Sequence, residues 1–151
     1  MFKGSIPAVI TPFDTNKSID YDKLNKHIDF LIDQESHGLV SCGTTGESPT
    51  LDHEEHKKIT EAIIKRSNKR VPVMAGCGSN STKESIELVK HAHSVGANAS
   101  LLVSPYYNKP SQDGLFQHFS EIANSVPSLP IYLYNIPGRS VVNINHDTMS
   151  M

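Results

Sequence analysis

Val40-Ser41-Cys42-Gly43-Thr44-Thr45-Gly46-Glu47-Ser48 is the stretch on which the reading of this chain turns. The apolar run Gly38-Leu39-Val40-Ser41-Cys42 ends in two threonines framed by glycines, and Thr50 and Asp52 then precede a helical pattern. A strand that stops at Gly-Thr-Thr-Gly and turns toward a helix delivers backbone N–H groups and two hydroxyls to one point. That arrangement suits a carboxylate or a phosphate. Glycine permits the tight turn and the close approach of a ligand to the backbone. An ordinary strand-to-helix turn carries the same letters, so the motif alone leaves both readings open.

The flanking sequence repeats this unit. Upstream, Ile6-Pro7-Ala8-Val9-Ile10-Thr11 is a first short strand closed by Pro12, and Asp20 caps a helix with Leu24, Ile28, Leu31 and Ile32 on one face. Gly38 ends that segment. Downstream, a helix is expected from about Thr50 to Ser67, with an acidic first turn (Asp52, Glu54, Glu55) and apolar Ile59, Ala62 and Ile63. Val71–Gly76 is the third strand, and Ser81 with Glu84 forms a capping box for a helix carrying Ile86, Val89 and Ala92. Ala99–Val103 is the fourth strand, followed by Ser104-Pro105-Tyr106-Tyr107-Asn108-Lys109-Pro110. A helix from about Ser111 buries Leu115, Phe119, Ile122 and Ala123; Pro130–Tyr134 is the fifth strand, with Asn135-Ile136-Pro137-Gly138-Arg139 as its loop. Asn145-His146-Asp147-Thr148 reads as the cap of a fifth helix.

Strand and helix thus alternate with a period of roughly thirty residues, and the strands are nearly all-apolar, as in a covered parallel sheet. The polar, glycine-rich stretches follow strands, where βα barrels and doubly wound sheets bind ligands. No dinucleotide or P-loop fingerprint follows the first strand, which counts against a nucleotide-binding fold. The chain of 151 residues is long enough for one domain with a real core. Its net charge of −2 points to neither nucleic acid nor an anionic membrane. Cys42 and Cys77 end apolar runs and read as buried free thiols rather than a disulfide or a zinc site. Met1-Phe2-Lys3-Gly4-Ser5 lacks the apolar core of a signal peptide, so a soluble cytoplasmic protein is expected.

With these residues in order, the chain resembles the N-terminal half of the dihydrodipicolinate synthases, in the pyruvate-dependent class I aldolase family. The resemblance spans all 151 residues. It rests on Gly4-Ser5-Ile6 with Thr11-Pro12, on Gly43–Ser48, on Pro105-Tyr106-Tyr107-Asn108, and on Tyr134-Asn135-Ile136-Pro137-Gly138-Arg139. It implies an α/β fold, the first five strands of a (β/α)8 TIM barrel, as a single partial domain over 1–151 ending at the start of the fifth helix. The implied activity is a lyase of lysine and diaminopimelate biosynthesis. Pyruvate forms a Schiff base with a lysine on the sixth strand, tautomerises to an enamine, attacks aspartate semialdehyde and cyclises to 4-hydroxy-tetrahydrodipicolinate. No cofactor or metal is implied.

Carried onto this chain, the resemblance makes Thr44, Tyr107 and Tyr134 a catalytic hydroxyl relay, with Tyr107 reaching in from a neighbouring subunit. Thr45 would bind the pyruvate carboxylate, and Arg139 the carboxylate of the semialdehyde. A hydroxyl donates and accepts, so Tyr–Thr–Tyr can pass a proton without holding charge. Arginine offers a carboxylate a bidentate fork. Tyr134 as a core tyrosine, Tyr106-Tyr107 as a loop packed on a partner, and Arg139 as a solvated charge are the plainer alternatives.

His53 and His56, at i and i+3 on one helix face, invite a metal pair, but spacing suggests no third ligand. Taken alone they read as a solvated face. The resemblance makes Ser48, His53, His56, Asn80, Glu84 and Tyr106 an allosteric lysine-binding site at a subunit interface, with Glu84 pairing with an ammonium and Asn80 and Tyr106 bonding its polar ends. A homo-oligomer, the family's dimer of dimers, is implied for a complete enzyme. Pro49 stands where alanine is expected beside Ser48.

The chain departs from the family in length and in one residue. Five strands leave a barrel open with two sheet edges. No lysine lies within an apolar strand, where desolvation would make it a nucleophile. The chain is therefore expected to be a truncated form, inactive alone. Other pyruvate aldolases, such as N-acetylneuraminate lyase or a 2-keto-3-deoxy sugar-acid aldolase, are the alternatives within the enzyme class. Beyond it stand a non-catalytic lysine-binding subunit, a half-barrel awaiting its complement, and an unstable remnant.

Overall fold

The computed structural model describes residues 2–151; of the N-terminal stretch discussed above, Met1 lies outside them. Its regular elements are helix α1 (Tyr21–Asp33), strand β1 (Leu39–Ser41), helix α2 (His53–Ser67), strand β2 (Val73–Gly76), helix α3 (Thr82–Ser94), strand β3 (Ala99–Val103), helix α4 (Gln112–Ser125), strand β4 (Ile131–Tyr134), and two short helices, α5 (Pro137–Ser140) and α6 (His146–Ser150). The strands form one parallel sheet in the order β1-β2-β3-β4, with Ser41 level with Ala75, Gly76 with Leu101 and Val103 with Tyr134.

Each long helix starts where a side chain takes an otherwise orphaned N–H. Asp20 Oδ1 accepts from Lys23 N at 2.9 Å, and Ser111 Oγ from Gly114 N at 3.1 Å. The expected capping box at Ser81 is only half made. Ser81 Oγ accepts from Glu84 N at 3.4 Å, but the Glu84 carboxylate turns away to accept from Ser79 Oγ at 2.6 Å. The complete box is at α2, where Asp52 Oδ1 accepts from Glu55 N (2.8 Å) and Glu55 Oε2 from Asp52 N (3.0 Å). That box starts α2 at His53 rather than near Thr50, because Ser48–Thr50 is spent in a separate 3₁₀ turn holding Pro49.

All four long helices lie on one side of the sheet. Leu39 and Val73 pack with Leu24 and Ile28 of α1 and Ile59 and Ile63 of α2. Ala75, Cys77 and Leu102 pack with Val89 and Ala92 of α3 and Leu115, Phe119 and Ile122 of α4. Ala123, expected in this core, is exposed. Leu102 is fully buried, and trimming such a side chain to alanine costs about 2–5 kcal/mol. The opposite face holds Val40, Met74 and Ala99, with Phe2, Ile6, Ala8, Leu101 and Tyr132 against them. Helices on one face only, with strands in sequential order, match a barrel wall and exclude a doubly wound sheet.

The expected five strands are four. The segment around Ile6–Thr11 runs beside β1, with Val9 N donating to Val40 O and Val40 N to Pro7 O, both at 2.9 Å. It registers as one isolated parallel bridge, Ala8 to Val40. In this register the next donors toward β1 would come from residues 7 and 11; Pro7 carries no N–H and Cys42, which Thr11 would face, is left-handed, so no longer ladder forms there. Among the described residues no helix is long and apolar enough to cross a membrane.

Candidate functional site

The turn after β1 is built from both its ends. Ser41, fully buried, shares a hydrogen bond with Thr60 Oγ1 of α2 at 3.2 Å. Cys42 then takes a left-handed φ of 49°, Thr44–Gly46 forms a 3₁₀ turn, and Glu47 is left-handed at 58°. The residues that reverse the chain are therefore Cys42 and Glu47; Gly43 and Gly46 have negative φ. Gly46 is needed for close approach instead. A Cβ there would lie 2.7 Å from the Val9 carbonyl, and Thr11 Oγ1 donates to the Gly46 carbonyl at 2.6 Å. The amides of Gly46, Glu47 and Ser48 are bonded inside the turn to Gly43 O and Thr44 O, which leaves the exposed Thr44 and Thr45 at its open front.

Beyond β3, Tyr107 is 88% exposed with a left-handed φ of 74°, an uncommon backbone for a bulky side chain. Its neighbours hold it there. Asn108 N donates to Tyr106 O at 2.9 Å, Asn80 Nδ2 to the same carbonyl at 3.1 Å, and Asn108 Nδ2 to Asn80 O at 3.2 Å. Tyr134 ends β4, 38% exposed; strand alternation puts it on the face of Tyr132 and Leu101, away from the helices. Arg139 is exposed on α5, just past it.

The sheet thus brings Thr44, Thr45, Tyr107, Tyr134 and Arg139 to its C-terminal edge. Thr44 and Tyr134 stand at the same end of the strands, with β2 and β3 between them. No hydrogen bond among the described residues joins the hydroxyls of Thr44, Tyr107 and Tyr134.

The second cluster is partly assembled. Asn80 meets Tyr106, and His53 Nε2 stands 4.0 Å from Glu84 Oε2. Ser48 lies in the second 3₁₀ turn after β1. His56 does not share the solvated face its spacing suggests. It is 9% exposed, and burial lowers its pKa to about 4, against the opposing bond to the Gly76 backbone and helped by repulsion from His53 and His91. Among the described residues, no three His, Cys, Asp or Glu side chains converge as a metal set. Cys42 and Cys77 are free and buried; burial pushes their thiols up to about 11 and about 12, so neither is a nucleophile at neutral pH.

A cavity of about 570 Å³ lies at the other end of the molecule, lined by Asp29, Asp33, Lys65, Arg66, Asn68 and Arg70. Asp29 of α1 is held there by both Arg66 and Arg70, so the cavity is a helix–helix junction rather than part of the site. Sequence reasoning missed the residues that brace the edge loops: Ser79, which bonds Glu84, Gln112 at the start of α4, and Asn135 just past β4. Asn135 stood inside a quoted motif; Gln112 carried no signal.

Comparison with known proteins bears on this edge. The Dihydrodipicolinate synthetase family profile matches residues 1–151. The 4-hydroxy-tetrahydrodipicolinate synthase of Rhizobium meliloti (strain 1021) is 59% identical over 150 residues, covering 99% of this chain and 51% of its own. Among solved structures, the chloride-inhibited dihydrodipicolinate synthase of Acinetobacter baumannii complexed with pyruvate superposes with a TM-score of 0.95 at 48% identity, over 98% of this chain and 50% of that one. The enzyme of Cyanidioschyzon merolae with lysine bound gives 0.94 at 40% identity, over 97% and 50%. The chain spans about half the length of the curated relatives it matches. With helices on one face of a sequential parallel sheet and the family's motifs at one edge of it, the chain belongs to the dihydrodipicolinate synthetase family.

Proposed function

We propose that these residues form the carboxylate-binding and proton-relay side of a lyase site that condenses pyruvate with aspartate semialdehyde. The observation that carries this reading is the placement of the Thr44-Thr45 turn, Tyr134 and Arg139 at the same ends of parallel strands of one sheet. The pyruvate named for the Acinetobacter relative agrees with it. Thr45, with the amides at the front of its turn, binds the keto-acid carboxylate. Thr44, Tyr134 and Tyr107 move protons to and from the pyruvate-derived intermediate, each hydroxyl accepting one as it gives one up. Arg139 takes the carboxylate of the aldehyde in a bidentate fork. Tyr107, exposed and locked in a left-handed turn, serves the site of a second copy, so the working unit is an oligomer.

The imine-forming lysine comes from outside these residues, since none of β1–β4 contains a lysine. Incubating this chain alone with pyruvate and borohydride is expected to leave its mass unchanged. A stable mass increase on one of its own lysines would refute that assignment. In the intact protein, Tyr134→Phe and Thr44→Val are expected to lower kcat by roughly a hundredfold or more, as loss of a positioned proton-transfer group does. Unchanged turnover would remove the relay.

The His53–Glu84 and Asn80–Tyr106 cluster fits an amino acid carrying an ammonium, and lysine is named as bound in the Cyanidioschyzon relative. Lysine is expected to inhibit the intact protein, with Glu84→Gln weakening inhibition. Inhibition unaffected by that change would place any lysine elsewhere.

A further inference from the structure

Past β4 the chain folds back over the start of α4. Gln112, the first residue of α4, holds it at three points. Its Nε2 donates to Asn143 O at 2.8 Å, and its Oε1 accepts from Asn145 N at 3.0 Å and from Thr148 Oγ1 at 2.7 Å. Asn135, at the end of β4, grips the same segment from the other side. Its Oδ1 accepts from Ile144 N at 3.1 Å, and its Nδ2 donates to Asn143 Oδ1 at 2.8 Å. Ile144, 1% exposed, is the apolar peg that seats the segment in the α3–α4 core.

Between these anchors lies α5 with Arg139. Its last residue, Ser140, is buried, with its hydroxyl 3.1 Å from Ile136 O and 2.9 Å from Val142 O. Val141 follows at φ 61°, a left-handed conformation that a β-branched residue adopts only when its surroundings impose it. The Arg139 side chain has no ion pair or hydrogen bond among the described residues, so its place is set by the backbone of this turn.

We infer that Gln112 and Asn135 are positioning residues that fix the α5 turn and so aim the Arg139 guanidinium. The inference rests on the reading of Arg139 as the arginine that binds the aldehyde carboxylate. A planar fork matches a carboxylate only from a defined direction, so a turn free to relax loses affinity for that substrate without disturbing the other one. Neither residue needs to touch the substrate.

The test is steady-state kinetics of the intact protein, with KM measured separately for pyruvate and for the aldehyde. Gln112→Ala is expected to raise the aldehyde KM roughly tenfold and leave the pyruvate KM within about twofold, the signature of lost ground-state binding at one subsite. Gln112→Glu keeps the acceptor for Asn145 N and Thr148 Oγ1 and is expected to recover most of the loss. Thr148→Val removes one bond and is expected to give a smaller rise with the same selectivity, which serves where Gln112→Ala fails to fold. Equal rises in both KM values, or a fall in kcat alone, overturn the inference. Arg139→Ala separates the two layers. If it raises the aldehyde KM and the Gln112 variants do not, only the clamp falls; if it leaves that KM unmoved, the carboxylate reading falls and takes the clamp with it.

Discussion

Thr11 Oγ1 donates to the Gly46 carbonyl at 2.6 Å, binding two residues 35 positions apart and fastening the N-terminal segment to the turn that carries Thr44 and Thr45. The segment is not a strand, yet it shapes the candidate site.

That contact predicts opposite fates for the two glycines of the turn. A Cβ at Gly46 meets backbone at 2.7 Å, whereas one at Gly43 meets Ala8 Cβ at an ordinary 3.7 Å. Gly46→Ala is expected to cost roughly 1–3 kcal/mol, as overpacking does, with Gly43→Ala costing much less. Denaturant unfolding of both variants checks this; equal losses would contradict the packing described.

His56 sets a pH dependence. Its folded pKa of about 4 lies below the ordinary 6.5, so below pH 6.5 the unfolded chain binds the extra proton. Stability is complete above about pH 6.5 and falls as pH drops toward 4, by up to about 3 kcal/mol for this group. Burial lowers His118 and His27 in the same sense. The quantity to measure is therefore the difference between the native protein and His56→Gln, which should narrow as pH falls from 7 to 4. A constant difference would mean that His56 is not buried neutral.

Asp29 joins α1 to α2 through Arg66 and Arg70. The hydrogen bonds from Arg66 and then Arg70 hold its carboxyl down at about 2. Here the sign reverses: the stabilisation is present above the ordinary carboxylate pKa and disappears only as pH falls through about 2. Asp29→Asn is expected to lower the thermal midpoint at neutral pH, with a smaller loss at high salt because the groups are open to solvent. A midpoint insensitive to both the substitution and salt would show the cluster to be energetically idle.

Val141 is 61% exposed at φ 61°, so it suffers left-handed strain and buries little in return. Val141→Gly is expected to raise stability by up to about 1 kcal/mol, the relief of strain exceeding the added freedom of the unfolded chain. Thermal unfolding reads the sign directly; a loss would mean that the side chain packs better than its exposure indicates.

Much of the fold was legible from local signals. The apolar runs at 38–42, 71–76, 99–103 and 130–134, which contain β1–β4, and the caps Asp20 and Ser81 each act within a few residues, so each could be read in place. The first segment reads as a strand because its letters are apolar, but Pro7 withholds the donor that would extend its pairing with β1, and β1 turns left-handed at Cys42. The candidate residues were legible as motifs, since Tyr134 ends an apolar run and Thr44, Thr45, Tyr107 and Arg139 follow such runs.

What the sequence determined by itself is which residues are apolar, which can cap, and the order in which strand and helix alternate; these depend on near neighbours along the chain. Tertiary structure alone decided that His56 turns inward while His53 faces Glu84, that Cys42 and Glu47 rather than the glycines take the left-handed backbone, and that Gln112 grips Asn143, Asn145 and Thr148. Each of those depends on a partner that is distant in the chain, and a hydrogen bond or a close contact has no sequence pattern until the sheet has brought its two ends together.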